Sequence, residues 1–203
     1  MVQGSLVALE GIDGAGKGTQ VDLLVTALRS EGLSVVATRE PTDGPHGRQI
    51  RARSVAGEVL SPNEQLEAFM LDRAEHVRDL IRPALDEGSV VVTDRYYLSN
   101  VAYQGAAGLD PAEILENNAS RFPEPDLAIL IDLSAEEALR RVDARGEQRN
   151  RVFERESFLT RTREIYCSLQ LPYLHSVSGE TDPQTVHVEI MARVRTLLGR
   201  RAG

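Results

Sequence analysis

Ten consecutive residues constrain the fold of this chain more than any others: Gly11-Ile12-Asp13-Gly14-Ala15-Gly16-Lys17-Gly18-Thr19-Gln20. A short apolar run, Ser5–Glu10, precedes them. Val21, Leu24, Val25 and Leu28 then put one apolar face on a helix expected from Gly16 to about Ser30. The loop reads G-x-x-x-x-G-K in its strand–loop–helix setting. Glycines let backbone N–H groups converge on phosphate oxygens, and the new helix points its positive dipole end at them. Lys17 then reaches the β- and γ-phosphates as a point charge. The chain holds 22 Arg and one Lys, Lys17. A lone Lys among so many Arg fits a position that needs a compact ammonium. Gly11, Ile12, Asp13, Gly14, Ala15, Gly16, Lys17, Gly18 and Thr19 are therefore expected to contact a nucleoside triphosphate. Gly18 occupies the place where Ser or Thr usually holds Mg²⁺. The metal must then lean on other ligands, on water, or on Thr19.

Strand-like and helix-like segments alternate along the rest of the chain. Further strands are expected at Leu33–Thr38, Ser89–Asp94, Leu127–Leu133 and, weakly, Leu174–Ser178. Ser61, Pro62 and Glu64 form a helix-start signal with a capping box. That helix should run to about Glu87 with a bend near Pro83. Other helices are expected from Asp110, after Ser134, from about Glu156 to Gln170, and from Asp182-Pro183 to about Gly199. Such alternation implies a parallel sheet covered on both faces, with ligands beyond the carboxyl ends of the strands. With 203 residues, 41% hydrophobic, and no repeat or long linker, residues 1–203 are expected to form a single domain.

Several classes are excluded or disfavoured. No stretch has the roughly 18 apolar residues of a membrane span, and no signal peptide is visible, so a cytoplasmic protein is expected. A net charge of −8 argues against binding nucleic acid or membrane by bulk charge. One cysteine, Cys167, excludes an internal disulfide framework, and it is expected to be buried packing. His46, His76, His175 and His187 are scattered and are read as surface or packing residues. With Lys17 the only lysine, no guanine-reading N-K-x-D or T-K-x-D element exists. No L-S-G-G-Q of a transporter ATPase is present either.

The third strand ends in Asp94-Arg95-Tyr96, followed by Tyr97-Leu98-Ser99-Asn100-Val101-Ala102-Tyr103-Gln104-Gly105. An acid facing the phosphate loop can hold Mg²⁺, and an Arg beside it can clamp a phosphate bidentately. This string resembles the thymidylate kinase signature D-R-[YH]-x-x-S-x-x-A-Y-Q. Glu10–Lys17, Thr38-Arg39-Glu40-Pro41 and Phe69-Met70-Leu71-Asp72-Arg73-Ala74-Glu75-His76 are similar to further motifs of that family, in order and at matching spacing. The family departs from the chain at E-P-G-G-T, where Glu40-Pro41-Thr42-Asp43-Gly44-Pro45 stands instead. G-K-G-T-Q also resembles adenylate kinases.

The resemblance implies an α/β fold with a five-stranded parallel sheet, helices on both faces, a short arginine-rich lid at about 145–156, and a homodimer. It implies transfer of the ATP γ-phosphoryl group to dTMP with Mg²⁺. Carried over by residue, Phe69 would stack on the base and Arg73 would hydrogen-bond it. Ser99, Asn100 and Gln104 would lie at the base or phosphate edge, and Tyr103 would close on the sugar. Asp13 would contact the 3′-hydroxyl or help Asp94 hold the metal. Arg39, Arg51 and Arg95 would bind the acceptor phosphate, with Pro41 beside them and Glu154 facing the acceptor. Since the phosphate loop carries no Arg, the catalytic cation besides Lys17 and Arg95 would be Arg145, Arg149 or Arg151 of the lid. Arg140 and Arg155 are read as a solvated face. The competing readings are a kinase of dUMP, CMP or AMP, and a nucleotide-binding regulator without turnover.

Overall fold

The computed structural model describes residues 4–144 and 152–202, leaving aside the side chains of 152–154 and 201–202. Five parallel strands form one sheet in the order β2-β3-β1-β4-β5. They are β1 (Ser5–Glu10), β2 (Val35–Arg39), β3 (Val90–Asp94), β4 (Leu127–Asp132) and β5 (Leu174–Ser178). The sequence expectation of a parallel α/β sheet holds, with boundaries shifted by one or two residues at β2, β3 and β4.

Both faces of the sheet are covered, and the two-residue period of a strand assigns each side chain to one of two cores. Val7, Leu9, Val92, Ile129 and Ile131 pack with Leu24 and Leu28 of α1 (Lys17–Ser30), Ala138 of α7 (Ala135–Asp143), and Ile190 and Val194 of α9 (Pro183–Ala202). Their neighbours Leu6, Ala8, Val91, Ala128 and Leu130 face the other way. They meet Met70 of α3 (Pro62–His76), Val101 of α5 (Tyr97–Ala106), Ile114 of α6 (Pro111–Ala119) and Tyr166 of α8 (Val152–Ser168). Each such large apolar side chain contributes roughly 1.5–3 kcal/mol by leaving water.

The helical segment begun at Ser61 runs to Asp86, close to the expected end at Glu87, with its irregularity just before Pro83 as expected. The capping box forms as read: the Ser61 amide donates to Glu64, and the Glu64 amide donates back to Ser61 Oγ. The α-helix, however, stops at His76. A wider π-type turn spans Val77–Ile81, and α4 (Arg82–Asp86) completes the segment. Pro83 has no amide hydrogen for the carbonyl one turn back. The ladder widens just before it, where the Arg82 amide donates to the Val77 carbonyl. The sequence map also lacked α2 (Pro45–Ala56) and α5. For α2 the signal was present, since Pro45 fills the first helical position and Gly57 ends the helix at φ 69°. Helix α8 begins at Val152, four residues before the expected start. Cys167 is exposed rather than buried, because Tyr166 holds the inward position on α8.

Candidate active site

β1 lies between β3 and β4, so the crevice beyond its carboxyl end is the topological switch point of the sheet. Glu10, Arg39, Asp94 and Asp132 end their strands on this edge.

The glycine loop fits its place by backbone shape. Gly11, Gly14 and Gly16 sit at φ 142°, 88° and 93°, which side chains rarely tolerate. A Cβ on Gly14 would lie 2.4 Å from the Ala138 carbonyl oxygen, and one on Gly11 would lie 2.7 Å from that of Ile131. The Lys17 ammonium is buried and donates to the carbonyls of Gly11 (3.1 Å) and Ile12 (3.0 Å). Burial, with Arg95 nearby, pushes its pKa down to about 8. A 290 Å³ cavity over the loop is lined by Lys17, Thr19, Arg39, Glu40, Asp94 and Arg95, among others. Asp94 Oδ1 is buried there without a hydrogen-bond partner. A cation would satisfy it, so the residues present fit the expected Mg²⁺. Neither space nor backbone shape requires glycine at Gly18, since a Cβ there would meet only Asp94 Oδ2, at an ordinary contact distance of 3.7 Å.

Arg95 links this cavity to a second. Its backbone sits at φ 70°, a conformation costing about 1–2 kcal/mol for a residue with a side chain. The Arg95 amide donates to the Leu9 carbonyl, and Thr93 Oγ1 donates to the Arg95 carbonyl; both bonds hold it there. The guanidinium donates to the Gly11 carbonyl, Ser99 Oγ, Asp13 Oδ1 (2.6 Å) and the Tyr103 hydroxyl, and lies over the Tyr103 ring. Burial pushes the Asp13 carboxyl up, but Arg95, Lys17 and Arg155 outweigh it and hold its pKa below the usual value. Arg155 therefore acts on the site and is partly buried, against the expectation of a solvated face. Arg140 is exposed and paired with Glu137, as expected.

The second cavity, 250 Å³, is lined by Asp13, Pro41, Phe69, Arg73, Arg95, Ser99, Asn100, Tyr103 and Gln104, with Glu40, Gln65 and Tyr96. Nine of the residues expected at the acceptor thus meet in one pocket, although they come from four separate segments. Arg73 is buried between the rings of Tyr96 and Phe122 and paired with Glu40 at 2.5 Å. His76, expected as surface or packing, instead bridges Glu40 and Thr38 by hydrogen bonds of 3.0 and 2.7 Å. Asp72 accepts from the amide and hydroxyl of Thr42 and so fixes the loop after β2.

A family model for thymidylate kinase matches residues 9–190. The chain belongs to the thymidylate kinase family. Relatives named thymidylate kinase include one from Desulfotalea psychrophila, 44% identical over 96% of this chain and 96% of its own. One from Xanthomonas euvesicatoria is 47% identical over 90% of this chain and 80% of its own, and one from Xylella fastidiosa is 42% identical over 98% and 91%.

Within this thymidylate kinase family member, not every expected residue reaches the clefts. Arg39 lines the loop cavity but pairs with Asp43. Arg51 lies outside both lining sets; it donates to the Pro41 carbonyl and to Asp43, bracing the very loop that departs from the family's E-P-G-G-T. Arg145, Arg149 and Arg151 lie outside the described residues, as does the side chain of Glu154. Sequence reasoning missed Glu10, which is fully buried and accepts from the Tyr96 amide, Ser99 Oγ and the Tyr166 hydroxyl. It also named no donor-base residues. A 430 Å³ groove on the far side of the loop shares Gly14, Gly16 and Thr19 with it and adds Arg141, Thr181 and Asp182. The available signal was Asp182-Pro183, a helix start just after the carboxyl end of β5. A wider 710 Å³ groove opens outward from Gly18, Arg39 and Asp94. Its lining holds five carboxylate residues against one arginine, which does not suit a phosphate compound.

Proposed function

We propose that the chain transfers the γ-phosphoryl group of ATP to dTMP, giving ADP and dTDP. The observation that carries this reading is the shared wall. Asp13, Glu40 and Arg95 line both the phosphate cradle and the pocket with Phe69, Arg73, Asn100 and Tyr103, so a donor and an acceptor phosphate can meet between them. Lys17 would exchange its two loop carbonyls for phosphate oxygens, and Arg95 would hold the acceptor phosphate. That phosphate is already ionised near neutral pH, so no general base is required. Catalysis is then positioning and charge stabilisation. Asp94, with Asp13, would hold Mg²⁺, which supplies further neutralisation of phosphate charge. The 430 Å³ groove is the proposed seat of the donor base. Arg145, Arg149 and Arg151 are the proposed lid cations, and Glu154 is proposed to face the acceptor.

We read residues 1–203 as one domain with a lid at about 145–156, working in the cytoplasm as a homodimer. Val55, Val59 and Leu71, exposed on or beside α2 and α3, support an apolar surface for self-association. Sedimentation tests it, and a monomer at micromolar concentration would refute it. Among the described residues, no helix is long and apolar enough to cross a membrane.

The test of function is ADP release with ATP and Mg²⁺ against a panel of nucleoside monophosphates. Dominance of dTMP supports the proposal. Dominance of AMP or CMP would overturn the acceptor, and ATP binding without turnover would favour a regulator.

A further inference from the structure

Arg73 can donate five hydrogen bonds and accept none. Nε and one NH2 hydrogen go to Glu40. Both NH1 hydrogens have side-chain acceptors, Asn100 Oδ1 at 2.6 Å and Asn118 Oδ1 at 2.7 Å. One NH2 hydrogen remains, on a residue that lines the acceptor pocket. Asn118 does not line that pocket. It sits on α6, fully buried, and its Nδ2 donates to the Ile114 carbonyl one turn back (2.9 Å). That bond fixes its amide so that Oδ1 faces the guanidinium.

The engaged cation also sets the direction of a chain of amides. Asn100 must present Oδ1 to Arg73, so its Nδ2 donates to Gln104 Oε1 (3.0 Å). Gln104 is then left with Nε2 to offer, and the nearest acceptor is Gln65 Oε1, at a long 3.5 Å. The buried wall therefore presents hydrogen-bond donors. A 2,4-dioxopyrimidine meets them with carbonyl oxygens, whereas a 4-aminopyrimidine opposes a donor with a donor.

We propose that Asn118 is a positioning residue for acceptor-base selection: it takes one NH1 hydrogen of Arg73 and holds the guanidinium so that the spare NH2 hydrogen meets a base carbonyl. This rests on the dTMP kinase reading above. Losing Asn118 Oδ1 frees an NH1 hydrogen and lets the guanidinium turn, so the donor wall loses its alignment.

The experiment compares wild type, Asn118→Leu and Asn118→Asp in steady-state kinetics with dTMP and dCMP. Asn118→Leu should raise the KM for dTMP about tenfold and lower the dTMP-to-dCMP ratio of kcat/KM about tenfold, with the KM for ATP unchanged. Asn118→Asp keeps an acceptor for Arg73, so it should retain most of that ratio. A residue that merely supports α6 would lower the melting temperature in both variants and leave the ratio unmoved, which would overturn the proposal. Should Asn118→Leu fail to fold, nitrogen-15 NMR of the wild type decides. A held guanidinium gives separately resolved, slowly exchanging Nη hydrogens, assigned by their loss in Arg73→Lys; averaged signals would overturn the proposal. If wild type does not phosphorylate dTMP, the parent reading fails. If it does and Asn118→Leu keeps both KM and ratio, this inference alone fails.

Discussion

Glu10 ends β1 under the phosphate loop, and Glu40 follows β2 beside the acceptor pocket. Both are buried, at 0% and 5% exposure, yet their pKa values move in opposite directions. Burial pushes Glu10 above the ordinary value, because its direct partners, Ser99, Tyr166 and the Tyr96 amide, are neutral and Arg95 acts from farther off. Burial pushes Glu40 up as well, but Arg73 and His76 together outweigh it and hold it below. Equal burial thus yields opposite shifts, and the counter-charge decides the sign. The donor side is framed by a carboxyl in neutral hydrogen bonds. The acceptor side rests on a buried ion pair whose cation also lines the base pocket.

The largest expected effect breaks the ion pair. Glu40→Gln leaves Arg73 buried without its carboxylate and should cost about 3–5 kcal/mol in urea unfolding. A loss comparable to that of Glu10→Gln would refute the distinction. Next comes Lys17→Ala, which removes the loop's own cation. We expect kcat to fall about 10²–10³-fold while cooperative unfolding persists; unchanged turnover would sink the role given to the loop.

Glu10→Gln should cost only about 0.5–1.5 kcal/mol, since neutral donors are being re-paired. Acid titration sharpens the contrast. Glu40 has its folded pKa below 4.5, so its contribution is complete above that pH and is lost as pH falls through the lower value. Glu10 has its folded pKa above 4.5, so its contribution is complete below that pH and declines as pH rises. The stability gap between wild type and each Gln variant should therefore run in opposite directions with pH. The smallest effect is kinetic. Lys17 titrates near 8 in the free protein, so the KM for ATP should rise above that pH. Glu10 is among the groups that raise the Lys17 pKa. Glu10→Gln should therefore move this limb to lower pH, as KM profiles would show; an unmoved limb would refute the link between Glu10 and the loop cation.

Much of the donor side was legible in the residues themselves. The cradle of Gly11 to Thr19 is contiguous, and its requirement for positive φ at Gly11, Gly14 and Gly16 is local. A parallel sheet follows from the alternation of segments, whereas the pocket around Phe69, Asn100 and Tyr103 was implied only by the resemblance of their motifs to a known family. Arg51 shows where such reading ends, because only its neighbours reveal that Asp43 and the Pro41 carbonyl engage it.

What tertiary structure alone decided is the electrostatics of the buried groups. Arg73 finds Glu40, Asn100 and Asn118 across 33, 27 and 45 residues of chain. Glu10 finds Tyr166 across 156 residues, and no spacing rule announces that meeting. Backbone shape is set by neighbours in sequence, so a loop can be read from its own residues. The charge state and orientation of a buried side chain are set by neighbours in space, so Glu10 and Glu40 diverge only once the chain has folded.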